Sequence, residues 1–234
     1  MDEEAGRLFD EGCELSSAGE FGRAIACFEA SCKLAPDALT LCNLGVSYER
    51  TGQVESAINC YSRASRLEPW DPVPRVNLGD ALVRESRFVE AANAYVDALR
   101  AAEKGEFLDE PWTTLNNLGV AYERTGDPVK AEACYKKALE VRPDYDTARS
   151  NYLRMVKIRK EPPKLPPKND DPEEIAPFRG RLPEFIDDDD DDDDDFDASE
   201  ISRSSPTGRQ CATCSCGPGG FVWSWASLFN ITHS

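Results

Sequence analysis

Residues 43–69 read NLGVSYERTGQVESAINCYSRASRLEP, and the stretch returns with few changes as NLGVAYERTGDPVKAEACYKKALEVRP at residues 117–143. A set of landmark residues keeps the same order and spacing in both copies. In the first copy these landmarks are Leu44, Gly45, Tyr48, Ala57, Tyr61, Ala64 and Pro69. A module of this length that recurs within one chain predicts a repeat architecture, in which each copy is one structural unit.

Weaker copies lie on both sides of the first module. Gly12 lies 33 residues before Gly45, and Gly79 lies 34 residues after it. The next glycine of the series, Gly119, follows after 40 residues. The longer spacing predicts an insertion or a lengthened second helix around residues 102–110.

Small and apolar residues recur at steps of three and four within each copy, as at Leu41, Leu44, Gly45 and Tyr48. Such spacing places them on one face of a helix. A single helix pair cannot bury this face alone, so neighbouring pairs must stack. We expect the glycines to mark the closest approach of the two helices of a pair and small residues to fill the facing positions. These facing residues are Ala57, Ala91 and Ala131.

The pattern L-G-x-x-Y, then A-x-x-x-F or Y, then P resembles the tetratricopeptide repeat, a helix-turn-helix unit. The resemblance implies an all-α, right-handed solenoid of about four helix pairs in residues 1–160. The predicted repeats span residues 5–37, 38–71, 72–111 and 112–145. A capping helix is predicted at residues 146–160, where Leu153 takes the place of the glycine.

Four asparagines occupy one equivalent position of the repeats: Asn43, Asn77, Asn117 and Asn151. A carboxamide both donates and accepts hydrogen bonds, so a row of them can bind the backbone of an extended peptide. The row resembles the asparagine ladder in the repeat domain of O-linked N-acetylglucosamine transferases, without their catalytic domain. The alternative is that asparagine is simply the common residue at this position and has a structural role.

A parallel row of arginines lies five residues after the glycines, at Arg50, Arg84 and Arg124. These side chains could receive the carboxylates of a ligand. The alternative is a solvated helix end, where the helix dipole favours a cation. The wall of the predicted groove is completed by Phe9, Val46, Val76, Asp80, Asn116 and Val120.

The acidic charge of the chain is concentrated after residue 160. Residues 1–160 hold 21 basic and 27 acidic residues, which leaves −11 of the total charge of −17 for the rest. The balance disfavours direct nucleic-acid binding. We predict a proline-rich linker at residues 161–185, a disordered acidic segment at 186–200 and a disordered Cys/Trp-containing tail at 201–234.

The aspartate run at residues 187–195 has three possible roles. It solubilises the chain, contacts a basic protein such as a histone or ribosomal protein, or competes within the molecule for the arginine row. Residues 175–186, IAPFRGRLPEFI, form a short apolar stretch beside it that could dock on a partner or fold back on the repeats.

Weak candidates for metal ligands occur in the tail, at Cys211, Cys214, Cys216 and His233. A structural zinc site normally brings a second ligand pair of similar spacing, which the tail lacks. We therefore predict no metal and no cofactor. Because Cys27, Cys60 and Cys134 share one position of the repeat, we expect them to be small, mostly buried apolar residues.

Catalytic signatures are missing from the sequence. His233 is the single histidine, and no nucleotide-binding glycine motif occurs. The acidic start MDEEAGRLFD resembles neither a secretory leader nor a transit peptide, so we expect a cytoplasmic protein, with the nucleus as a further possibility. The sequence predicts a non-catalytic scaffold that binds an extended peptide, with binding of basic proteins by the acidic tail as the alternative.

Overall fold

The computed structural model describes residues 3–104, 108 and 110–159. Within these residues the regular structure is entirely helical, which confirms the predicted all-α class. The helices are α1 (Glu3–Ser17), α2 (Phe21–Leu34), α3 (Ala38–Arg50), α4 (Val54–Leu67), α5 (Val73–Arg84), α6 (Phe88–Lys104), α7 (Pro111–Thr125), α8 (Pro128–Val141) and α9 (Asp146–Arg159). The predicted linker, acidic segment and tail, with the candidate zinc ligands, lie outside the described residues. No helix of the described part is long and apolar enough to span a lipid bilayer.

The described helices form two compact units. The first ends at Pro69 and contains α1 to α4, and the second begins at Trp70 and contains α5 to α9. In the first unit α1 packs against α2, α2 against α3 and α3 against α4. In the second unit the same succession runs from α5 to α9. Each unit is therefore a stack of helix pairs that bury a shared core.

Each helix pair is joined by a contact between a glycine and an aromatic ring. A Cβ atom added to Gly45 would lie 2.6 Å from the ring of Tyr61, which is closer than real Cβ atoms approach. The same contact joins Gly12 to Phe28, Gly79 to Tyr95 and Gly119 to Tyr135. The glycines therefore mark the closest approach, as predicted. The nearest facing atoms belong to the rings, however, and not to the alanines Ala57, Ala91 and Ala131, which are fully buried one helical turn before each ring.

The turn inside each pair has a residue with positive φ, seven positions after the core glycine. Three of these residues are glycines, Gly19, Gly52 and Gly126, with φ between 79° and 85°. Glycine has no Cβ and adopts this conformation without steric strain. The third pair has Ser86 there, with φ 60°, so its turn holds a side chain in a conformation that L-residues disfavour.

Candidate functional site

The asparagine of the first unit is an internal residue. Asn43 is only 3% exposed. Its Nδ2 donates a hydrogen bond to the carbonyl oxygen of Leu39, one turn earlier in α3, at 2.9 Å. The backbone oxygen of Asn43 in turn accepts a hydrogen bond from the hydroxyl of Ser47. In this conformation the amide is bonded to its own helix.

The asparagine of α7 is bonded across helices instead. Asn117 is half-buried, and its Nδ2 donates to Oδ1 of Asp80 in α5 at 3.1 Å. The same carboxylate oxygen accepts the hydroxyl of the buried Tyr95 at 2.5 Å. Burial, together with the charge of Asp80, raises the pKa of Tyr95 well above its usual value, so the phenol remains a donor. Asp80 thus orients Asn117 while it satisfies the buried phenol.

A second set of bonds joins α7 to α9. Asn151 in α9 donates through Nδ2 to Oδ1 of Asn116 at 2.9 Å. Asn116 donates a longer bond of 3.4 Å to Oδ1 of Asn117. Nη2 of Arg154 donates to Oδ1 of Asn151 at 3.3 Å. We call the four residues Asp80, Asn116, Asn117 and Asn151 the amide network, and it crosses α5, α7 and α9 within the second unit.

The amide network leaves hydrogen-bonding capacity on the surface. A primary carboxamide has two N–H donors and two acceptor lone pairs. The half-buried Asn151 uses one of each in the bonds just described, so one donor and one acceptor are left. Asn117 has a further contact with the Tyr95 hydroxyl and keeps an acceptor lone pair. Amides held in this way can meet the N–H and C=O groups of an extended chain.

Beside the amide network lies an ion pair that sequence reasoning missed. Arg154 binds both carboxylate oxygens of Glu123 in α7, with the Nη2–Oε2 distance 2.7 Å. Glu123 also accepts the hydroxyl of Tyr135 at 3.1 Å. The hydrogen bond from Arg154 is the main reason that the pKa of Glu123 is lowered. The sequence does signal the glutamate–tyrosine bond, because Glu49 and Tyr61 have the same spacing in the other copy, and these two residues are also bonded, at 3.0 Å.

The arginine row lies at exposed helix ends. The Arg50 guanidinium lies 5.6 Å from the ring centre of Phe21, and that of Arg124 lies 5.5 Å from the ring centre of Phe88. Both phenylalanines begin a second helix, so the two contacts are equivalent in the two units. Cation–π contacts of this length hold the guanidinium against the ring. Arg84 is exposed at the end of α5.

The remaining predicted residues differ in exposure. Among the predicted wall residues, Phe9, Val76 and Asn116 are buried and Val46 and Val120 are half-buried. Asn77 is also half-buried. The described surface at this position is therefore mainly polar in the second unit, where Asn77, Asp80, Asn117 and Asn151 lie on first helices.

The repeat cysteines form part of the core. Cys60 and Cys134 are buried, as predicted, whereas Cys27 is half-buried. Burial raises the pKa of Cys60 to about 11, so its thiol stays protonated and unreactive near neutral pH. Across the described ranges, no group of three or more histidine, cysteine, aspartate or glutamate side chains could hold a metal ion.

Comparisons with known families agree on the repeat type. Tetratricopeptide repeat models match residues 9–72, 42–107 and 112–145. Together these matches cover more than half of the chain. They include each of the four glycine–aromatic pairs.

Curated relatives match less than half of this chain. The small glutamine-rich tetratricopeptide repeat-containing protein 2 of Mycosarcoma maydis is 30% identical over 105 residues, which are 44% of this chain and 30% of that protein. The peroxisomal targeting signal receptor of Candida albicans is 33% identical over 107 residues, 45% of this chain and 18% of the receptor. The chain thus spans less than a third of the length of these curated relatives.

Solved structures share the fold. The crystal structure of MamA protein superposes with a TM-score of 0.62 at 22% identity, and covers 68% of this chain and 85% of its own. A tetratricopeptide repeat protein from Parabacteroides merdae has a TM-score of 0.60 at 20% identity, with coverage of 68% and 61%. At this identity the likeness concerns the fold alone.

Proposed function

Because this chain belongs to the tetratricopeptide repeat family, whose members act as protein-interaction scaffolds, we propose that it binds an extended peptide of a partner protein. The binding surface is the half-exposed face of α5, α7 and α9 in the second unit. Asn117 and Asn151 contact the peptide backbone there. The observation that carries the proposal is the amide network, which bonds these two side chains to neighbouring helices and leaves capacity for a ligand.

Preorganisation is the physical advantage of this arrangement. A side chain that is already held in one rotamer loses little further entropy when a ligand binds. Asn151 is held by Asn116 on one side and Arg154 on the other. Backbone recognition by amides does not depend on the side chains of the peptide, so the proposed site tolerates many sequences and takes its specificity from the surrounding surface.

The name of one relative supports the proposal of a ligand-binding role. The peroxisomal targeting signal receptor of Candida albicans is, by its name, a receptor for a targeting signal. It matches 107 residues of this chain at 33% identity. The wider prediction also includes Asn43, Asn77 and the arginine row, but Asn43 is buried in the first unit, so the proposed face begins with α5.

The test is a comparison of peptide affinities. Peptides are selected on the full-length chain from a random-sequence display library, and their dissociation constants are then measured for wild type and for the double variant Asn117→Ala/Asn151→Ala. Each lost hydrogen bond weakens binding by about 0.5 to 1.5 kcal/mol, so we expect a loss of roughly 5- to 150-fold. N-methylation of single peptide bonds should weaken binding at the positions that meet the two amides.

The matched control is Asn93→Ala, because Asn93 is an exposed asparagine on a second helix, α6, of the same unit. This variant should bind like wild type. Circular dichroism of all variants separates lost contacts from lost folding. Unchanged affinity of the folded double variant would overturn the proposal.

The alternative function rests on the aspartate run of residues 187–195 and lies outside the described residues. Salt distinguishes the two. Binding of a basic protein by polyaspartate weakens steeply as sodium chloride rises, since exposed charges are screened within about 8 Å at physiological ionic strength. Peptide binding by neutral amides changes little. A ligand that is lost at high salt and is insensitive to Asn117→Ala favours the alternative.

A further inference from the structure

The last helix differs from every first helix before it at one register position. In α1, α3, α5 and α7 that position is a glycine in contact with an aromatic ring sixteen residues later. In α9 it is Leu153, which is 40% exposed. The residue sixteen positions later is Asn169, in a stretch rich in proline, so the sequence does not supply the usual second helix there. The side of α9 that a second helix would cover is therefore uncovered in the described part.

The uncovered side of α9 has a distinct chemistry. Exposed residues toward the end of this side are Leu153, Arg154, Lys157 and Ile158, and we call these four the outer face of α9; Asp146 and Ser150, nearer the start of the helix, are also exposed. Ile158 is 64% exposed. By contrast, Ala148, Tyr152, Met155 and Val156 are buried against the rest of the unit. In sequence, α9 has four basic residues and one acidic residue. The outer face is thus apolar at its edges, with two basic side chains between them, of which Arg154 is paired with Glu123.

We propose that residues 175–186 of this chain, IAPFRGRLPEFI, dock on the outer face of α9. This segment contains the first aromatic residue after α9, Phe178, followed by Leu182, Phe185 and Ile186. Leu153 leaves no room for a ring at the place that the aromatic residue of a second helix takes in the other repeats, so Phe178 covers Leu153 from outside. The outer face adjoins the amide network at Arg154, which donates to Asn151, but the proposal does not depend on peptide binding.

Charge complementarity supports this occupant. Residues 170–187 hold six acidic residues and two basic ones, and the acidic residues flank the apolar stretch on both sides. Between its two apolar residues the outer face of α9 presents Lys157, together with Arg154, which is already paired with Glu123. Apolar groups can therefore meet apolar groups while carboxylates lie near cations. An acidic segment next to a basic helix in the same chain also has a high effective concentration.

The length of the connection permits this return. Fifteen residues, 160–174, separate the end of α9 from the segment. A proline-rich stretch spans about 3.1 Å per residue, so this connection reaches up to roughly 45 Å. A helix of 14 residues such as α9 is only about 21 Å long. The segment can therefore lie anywhere along α9 without strain in the connection.

Hydrogen–deuterium exchange of the full-length chain tests the proposal. We expect amides of residues 178–186, other than the proline, to exchange about tenfold or more slowly than an unstructured peptide of the same sequence, because docking withdraws them from solvent. Leu153→Glu should abolish this protection. The matched control is Val129→Glu, because Val129 is an exposed apolar residue of the same unit, 62% exposed, on α8.

A reciprocal variant keeps the proposal testable if Leu153→Glu disturbs α9. Phe178→Ala/Phe185→Ala changes no described residue, and it should release the segment and speed tryptic cleavage after Arg179 and Arg181. Protection that rises with protein concentration would show docking between two copies and overturn the intramolecular proposal. Wild-type exchange at the unstructured rate, or protection that survives both variants, would overturn it as well.

Discussion

Asn43 in the first unit and Asn117 in the second occupy the same position of the repeat, two residues before the core glycine, yet their surroundings differ. Asn43 is buried and bonded to its own helix, whereas Asn117 is half-buried and bonded to Asp80 on another helix. The glycine–aromatic contact, in contrast, is the same in both units. The residues of a single repeat are thus enough to determine its glycine–aromatic contact. The hydrogen bonds of a polar residue such as Asn43 or Asn117 depend in addition on the helices that surround it.

The largest expected effect concerns the glycine–aromatic contact, which both units have. Gly45→Val and Gly119→Val each place a side chain against a buried tyrosine ring, where even a Cβ atom would approach to 2.6 Å. Overpacking of this kind costs about 1 to 3 kcal/mol. Urea denaturation of the full chain, with hydrogen exchange followed in each unit, should show similar losses for the two variants.

Gly22→Ala is the control for these valine variants, because nothing lies within 4 Å of the added methyl group and alanine favours the helix. It should leave stability unchanged or raise it. A loss in one unit that is several-fold smaller than in the other would show that its ring can move aside, and the equivalence of the two units would fail.

The second effect concerns Asn43 and Asn117, which make different hydrogen bonds in the two units. Asn43→Ala should reduce stability by about 0.5 to 1.5 kcal/mol because a buried hydrogen bond is lost, and it should leave peptide affinity unchanged. Asn117→Ala should lower peptide affinity instead. Thermal unfolding and peptide titration of both variants measure this, with Asn59→Ala and Asn93→Ala, two exposed asparagines on second helices, as controls. Equal effects of the two substitutions on affinity would contradict the distinction.

The third effect concerns the ion pair between Arg154 and Glu123 in the second unit. Arg154→Ala should lower stability by at most about 1 kcal/mol at neutral pH, because 47% of the Arg154 side chain is exposed and solvent screens the pair. The substitution Arg7→Ala, in an exposed pair on α1, is the control and should have a smaller effect. Urea denaturation at low salt measures both.

The same pair predicts a pH dependence of definite sign. The pKa of Glu123 is lowered in the folded state, so its stabilising contribution is complete above the pKa of about 4.3 that a glutamate has in the unfolded chain. The contribution is lost as the pH falls through the lowered pKa. The difference in stability between wild type and Arg154→Ala should therefore be constant from pH 7 to about 5.5 and shrink at lower pH. A difference that grows on acidification would contradict the assignment.

The smallest effect concerns the turns. Ser86→Gly in the second unit relieves a positive φ, for which an L-residue pays about 1 to 2 kcal/mol, but glycine adds unfolded-state entropy. We expect a net gain of about 0.5 kcal/mol. Gly126→Ser, the reverse change in the next pair, should lower stability. A thermal melt of both variants tests whether Ser86 is the exception among the turns.

The sequence sufficed for the fold because the glycine, the aromatic residue and their spacing are all local features of one repeat. The hydrogen bonds of the surface residues were harder to predict from the sequence. The position of Asn117 was visible, but its bond to Asp80 depends on how α5 and α7 pack, and no periodicity encodes that. Sequence reasoning also placed Ala57 against Gly45, because it could not tell which residue of the shared face projects furthest toward the glycine. The ring of Tyr61 does so.

The constant spacing between each glycine and its ring has a consequence for how such a chain can change in length. A tandem duplication of one full period keeps every glycine matched to a ring sixteen residues later, wherever the copied segment happens to begin. A duplication within the array therefore keeps all glycine–aromatic contacts. Appending a unit after α9 is different, since Leu153 blocks the place of a ring and Asn169 offers none. A single duplication can therefore add a repeat within the array. To add a repeat after α9 in the same register, at least Leu153 and Asn169 would both have to change.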